Sequence, residues 1–179
     1  MHPNSGHASA HFVDTTHLET ILSFLAGIGI AVVEREIDED TFLPGILIDH
    51  GTLVIDREKL LHPGDLLHEA GHLAVVTSAD RKLLYNTVIA DESRKHLRGM
   101  EEMSAIAWSY AAICHLGIPP EVVFHETGYQ GDSGNIIGSF TSGRYFGVPT
   151  LAWLGLCNYH KTWHTQDKPY PHMVKWMRD

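Results

Sequence analysis

The sequence predicts an α+β fold: a small twisted sheet packed on two helices, with a mostly helical C-terminal part. Three observations predict it. Apolar residues recur every three to four positions over residues 18–25 and 66–76, the period of a helix with a buried face. Short β-branched runs at residues 30–34, 46–48 and 53–55 have the length and composition of strands. A third, longer helix is bounded by Gly117 with Pro119-Pro120 just beyond it, a common stop signal.

In chain order, residues 1–14 are polar and dotted with histidine, and read as a flexible arm. Thr15 or Thr16 can cap the first helix, whose apolar positions are Leu18, Ile21, Leu22 and Leu25. Gly27 and Gly29 end it, and residues 30–34 (IAVVE) follow as a strand. Residues 46–48 and 53–55 flank Asp49-His50-Gly51 and are expected to form a hairpin. The second helix should start near His62, with Pro63 at its first position, where a missing N–H does no harm. Asp65 in that turn suits the positive end of the helix dipole. Leu66, Leu67, Ala70, Leu73, Ala74 and Val76 carry the helix to about Thr77. Residues 78–94 give no clear pattern. A long helix is expected over about 94–116, and a short one over 120–126. Seven glycines between Gly128 and Gly155 alternate with Ile136, Ile137, Phe140 and Phe146, too apolar a mixture for a linker. Such glycines suit close helix packing or backbone lying against a ligand. No repeat or second boundary is visible, so residues 15–179 read as a single domain.

Composition narrows the function. The chain has 179 residues, 44% apolar and 20% charged, enough for a packed core. Its net charge of −9 lacks the basic footprint of a nucleic-acid binder. No apolar run reaches the roughly 18 residues of a membrane-spanning helix, and the first ten residues do not resemble a signal peptide. The expectation is therefore a cytoplasmic protein with no membrane or nucleic-acid partner. The two cysteines, Cys114 and Cys157, are too few for a disulfide scaffold and read as reduced, buried thiols.

Histidine is the outlier, at 14 residues. Three pairs have H-x-x-x-H spacing: His7/His11, His68/His72 and His160/His164. Only the middle pair encloses a glutamate at the second position, in His68-Glu69-Ala70-Gly71-His72, and only it sits in an apolar helix. Two histidines one turn apart on a helix can reach a single ion, and Glu69 lies beside that ion as a general base. The residue pattern therefore points to a Zn2+ site. A catalytic zinc usually takes three protein ligands and leaves one position open. The extension to a third histidine fails, because Val75 and Ser78 stand where Gly and His are needed. Glu101 and Glu102, at the start of the long helix, are the alternatives. Glu102 shares its face with the small residues Ala105, Ser109 and Ala112, which would let the two helices approach closely. Gly71, which costs about 1 kcal/mol inside a helix, fits the same close approach.

These residues resemble the small gluzincin-like metallopeptidases of the ImmA/IrrE type. The shared order is a helix, the strand Gly-Ile-Ala-Val-Val-Glu, the strand pair over 45–55, Leu-Leu-His-Glu-Ala-Gly-His-Leu-Ala, and a later helix with Glu102, Ala105 and Trp108. The resemblance spans about residues 15–115. It implies a zincin-like core in which His68, His72 and Glu102 bind zinc and Glu69 acts as general base. In place of the family's usual Ala-Asn-x-Phe-Ala, this chain has Ala105-Ile106-Ala107-Trp108-Ser109. The function implied is a zinc-dependent hydrolase, a metallopeptidase with a peptide or protein substrate. The alternative is a catalytically silent metal-binding or interaction module on the same scaffold.

A peptidase of this kind also needs an oxyanion-stabilising group. Tyr129, Tyr145, Arg144 and His125 are the candidates in the glycine-rich half, although each suits an ordinary core or surface role as well. Trp108 and Trp153 read as core residues. Ser139, Thr141 and Ser142 lack the spacing of a nucleophile elbow.

Overall fold

The computed structural model describes residues 16–86, 88–89, 96–159 and 168–179. The arm over 1–14 and the pairs His7/His11 and His160/His164 lie outside the described residues. The chain runs α1 (Leu18–Gly27), β1 (Val32–Glu34), β2 (Ile46–Asp49), β3 (Thr52–Ile55), α2 (Asp65–Val75), α3 (Ser78–Arg81), β4 (Leu84–Tyr85), β5 (Val88–Ile89), α4 (Arg98–Leu116), α5 (Ser133–Thr141) and α6 (Val148–Trp153). Two single 3-10 turns, Pro120–Val122 and Tyr129–Gly131, lie between α4 and α5. The α+β class holds. The C-terminal part is carried by two short helices joined by irregular chain, since its glycines interrupt helical runs.

The strands form one mixed sheet in the order β1-β3-β2-β4-β5. β2 and β3 are the expected antiparallel hairpin, with Asp49 opposite Thr52. The two residues between them, His50 and Gly51, have φ of 49° and 94°, the primed turn that matches strand twist. β1 lies parallel to β3. Ile46, Ile48, Leu53 and Ile55 join the main core with α1 and α2, while Leu47 and Val54 meet Ile37 in a small separate cluster. Burial of both faces explains why these strands read as unbroken apolar runs.

α2 is the central element: all eleven of its residues are buried. β2 and β3 pack on it, and α4 packs along it. The expected contact of the sheet with both helices is thus made mainly through α2. The C-terminal segment then closes the end of α2. Arg81 Nε donates to the Leu73 carbonyl at 2.8 Å, and its Nη2 donates to the Arg178 carbonyl at 2.7 Å. The Arg178 backbone N–H donates to the Ala74 carbonyl at 2.9 Å. These contacts satisfy carbonyls that a helix end leaves unpaired. Trp108 Nε1 donates to the Trp176 carbonyl, and both indoles pack with Phe24. The tail is part of the core.

Several element boundaries differ from expectation. α1 has His17 at its N-cap and no side-chain cap. α2 begins at Asp65, with Gly64 rather than Pro63 leading it in, and ends at Val75. Thr77 instead caps α3, its Oγ1 accepting the Asp80 N–H at 3.1 Å. The unassigned stretch holds α3 and the strands β4 and β5, each strand too short to show a period. Cys157 is buried but Cys114 is exposed, since it falls just past the buried run Ala111-Ala112-Ile113 on α4. Trp108 is core, whereas Trp153 is 76% exposed. No helix among the described residues is long and apolar enough to cross a membrane.

Candidate metal centre

Helical spacing puts His68 and His72 on one edge of α2, and the ring centroids are 4.8 Å apart. What brings a third group to them is the contact between α2 and α4. A Cβ on Gly71 would lie 2.8 Å from the Ala105 carbonyl oxygen and 3.2 Å from the Ala105 Cβ, so only glycine allows this approach. Ser109 Oγ lies 2.7 Å from the Ala105 carbonyl and 3.3 Å from that of Leu67. The small face expected on α4 is therefore the face against α2. Gly147 makes a similar contact from the other side: a Cβ there would lie 2.0 Å from the Met103 carbonyl oxygen.

Glu102 lies one turn before Ala105 on that face, and so reaches the two imidazoles. Its carboxylate oxygens are 3.2 Å from His72 Nε2 and 3.5 Å from His68 Nε2. The two Nε2 atoms are 3.2 Å apart. Donors held about 2.0–2.1 Å from one tetrahedral ion are separated from each other by about 3.3 Å. The spacings are close to that value, with His68 nearest Oε1 of Glu102 and His72 nearest Oε2. Glu101, the alternative, lines a separate cleft of about 210 Å³ with Thr77, Met100 and Trp153.

Glu69 is 3% exposed, and its Oε2 has no hydrogen-bond partner. A carboxylate oxygen of Glu69 and one ring nitrogen from each of His68 and His72 all lie within 4.8 Å of one another. A buried, unpartnered carboxylate oxygen is costly unless something else occupies its surroundings. Burial pushes the Glu69 carboxyl up to about 7, against the pull of His72. Burial and the neighbouring His72 push His68 down to about 3, so that ring is neutral. Burial alone would lower His72 too, but the Glu102 hydrogen bond and the charges of Glu69 and Glu102 outweigh it and raise it. Burial opposes ionisation of Glu102, yet both histidines hold it below the usual carboxylate range. The donor set thus favours one positive charge at the point where its atoms converge. Two imidazoles and a carboxylate are donor chemistry that suits a divalent metal ion, zinc among them.

The centre opens on a cleft of about 710 Å³. Phe42, Leu61, Ile106 and Ile136 give it an apolar wall; His68, Glu102, Tyr129 and His125 give it a polar one. Of the four oxyanion candidates, Tyr129 and His125 are in the cleft. Tyr145 packs among Phe140 and Tyr170 instead, and Arg144 is exposed. The pairing of His125 with Asp65 and His62 was not foreseen. His125 Nε2 is 2.9 Å from Asp65 Oδ1, its Nδ1 is 2.9 Å from Thr127 Oγ1, and its ring stacks on His62 at 3.7 Å. The only sequence signal was the position of Asp65, three residues before His68 and on the same side of the helix.

No protein-family model, no curated protein and no solved structure matches this chain. The functional reading therefore stands on the site itself.

Proposed function

We propose that this protein is a zinc-dependent hydrolase, acting as a metallopeptidase on a peptide or protein substrate. The observation that carries the reading is the convergence of His68, His72 and Glu102 at one-ion spacing beside the buried, unpartnered Oε2 of Glu69. Zinc bound there would supply Lewis acidity, polarising an amide carbonyl and lowering the pKa of a coordinated water to about 7. His68, His72 and Glu102 bind; Glu102, with its side chain 46% exposed, forms the rim towards the cleft. Glu69 takes one proton from the attacking water and returns it to the leaving amine, so that water and amide give acid and amine. The cleft has the size of an ordinary ligand site and an apolar wall suited to peptide side chains. We place the activity in the reducing cytoplasm, consistent with the two free thiols.

The third ligand is tested by a pair of variants. Glu102→Gln is expected to weaken zinc binding at least about 100-fold, because a charged ligand is lost. Glu101→Gln, one residue away and facing another cleft, is expected to change it less than about twofold. Competition against a chromophoric chelator measures both. Equal weakening by the two changes would overturn the assignment of Glu102.

A further inference from the structure

We infer that Tyr129 is a positioning residue that holds the His68 ring in its metal-binding orientation through Nδ1. The inference rests on the zinc reading of His68, but it concerns the other nitrogen of the ring. Tyr129 Oη lies 3.3 Å from His68 Nδ1, and the two rings meet edge to face with centroids 5.5 Å apart. A neutral imidazole that offers Nε2 to an ion must carry its proton on Nδ1, and the partner of Nδ1 decides which tautomer is present. The His68 side chain is only 11% exposed, so solvent does little to satisfy that N–H. Tyr129 Oη can accept from that N–H, which gives the ring a partner at Nδ1 when Nε2 faces an ion. Without it, the Nδ1–H of the metal-binding ring is left buried and unpaired.

The backbone supplies an independent reason. Tyr129 and Gln130 have φ of 52° and 54°, two successive non-glycine residues in the left-handed region. Such conformations are uncommon for residues with a Cβ and persist where the surroundings hold them. Here they turn the Tyr129 ring in between Phe124 and His68. The contact is made at Nδ1, the ring nitrogen that does not face Glu102 and His72. Tyr129 therefore supports a ligand and is not placed as the oxyanion donor its position in the sequence allowed.

Tyr129→Phe keeps the ring and removes only the hydroxyl. The expected result is a zinc dissociation constant raised roughly 10- to 100-fold, the usual effect of losing a partner behind a histidine ligand. The loss of zinc affinity should exceed what any fall in the urea midpoint of the metal-free protein accounts for, which a merely structural role would not allow. Nitrogen-15 NMR of the zinc-loaded wild type should show His68 Nδ1 hydrogen-bonded, and the variant should lose that signature. Unchanged zinc affinity with an unchanged His68 Nδ1 signal would overturn the inference. A wild type that binds zinc but hydrolyses nothing would overturn the hydrolase reading and leave Tyr129 in its role. A wild type that binds no zinc would overturn both.

Discussion

Glu69→Gln is expected to retain its zinc and to lose at least about 100-fold in peptide hydrolysis, since a positioned general base contributes 10²–10⁴-fold. The substitution is nearly isosteric, so the packing around α2 is kept. His68, His72 and Glu102 are untouched, so metal binding should hold within a few fold. What disappears is the oxygen that can accept a proton: Glu69 Oε2 is buried without a partner, beside the two imidazoles. The measurement is cleavage of a pooled set of internally quenched peptides by zinc-loaded wild type and variant, with metal content determined on the same samples. Equal cleavage by both would remove Glu69 from the mechanism. Absence of cleavage by the wild type, with zinc bound, would mark the protein as a silent metal-binding module.

The second large effect is structural. Gly71→Val is expected to lower the free energy of unfolding by about 3 kcal/mol, the upper part of the range for overpacking a tight contact. It should also weaken zinc binding. The new side chain would push against the Ala105 backbone, which a Cβ already meets at 2.8 Å, and α4 must move away from α2. Glu102 rides on α4, so its 3.2 Å and 3.5 Å spacings to the histidines would widen with it. A control separates this from glycine's ordinary effect in helices. A Cβ on Gly138, within α5, would meet nothing within 4 Å. Gly138→Ala should therefore stabilise the protein by about 1 kcal/mol through helix propensity alone. Urea unfolding of the three proteins measures both changes. A Gly71→Val protein as stable as wild type would mean that the α2–α4 contact is looser than described.

Legibility in the sequence followed the range of each interaction. His68, Glu69 and His72 are placed by a single turn of helix, so their spacing alone puts them together. Glu102 is 30 residues further on, but Gly71 and the small face of Ala105, Ser109 and Ala112 record the close contact that delivers it. The hairpin is legible for the same local reason. For residues on irregular chain, the sequence offered candidates but not their partners. His125 meets Asp65 across 60 positions with no helical or strand period to connect them. Tyr129 reaches His68 through two residues in the left-handed region, and nothing in Tyr-Gln announces that conformation. β4 and β5 have two residues each, below the length at which alternation can be read. The C-terminal tail docks on α2 largely through backbone carbonyls and N–H groups, which every residue carries.

The account turns on whether His68, His72 and Glu102 hold a metal ion. The direct measurement is elemental analysis of protein stripped of metal, mixed with equimolar zinc and passed through gel filtration, for wild type and for His72→Ala. The account predicts about one zinc per chain in the wild type and less than about 0.1 in the variant, because two remaining protein ligands do not make a closed site. A wild type that emerges without zinc, or a variant that keeps a full equivalent, would contradict it.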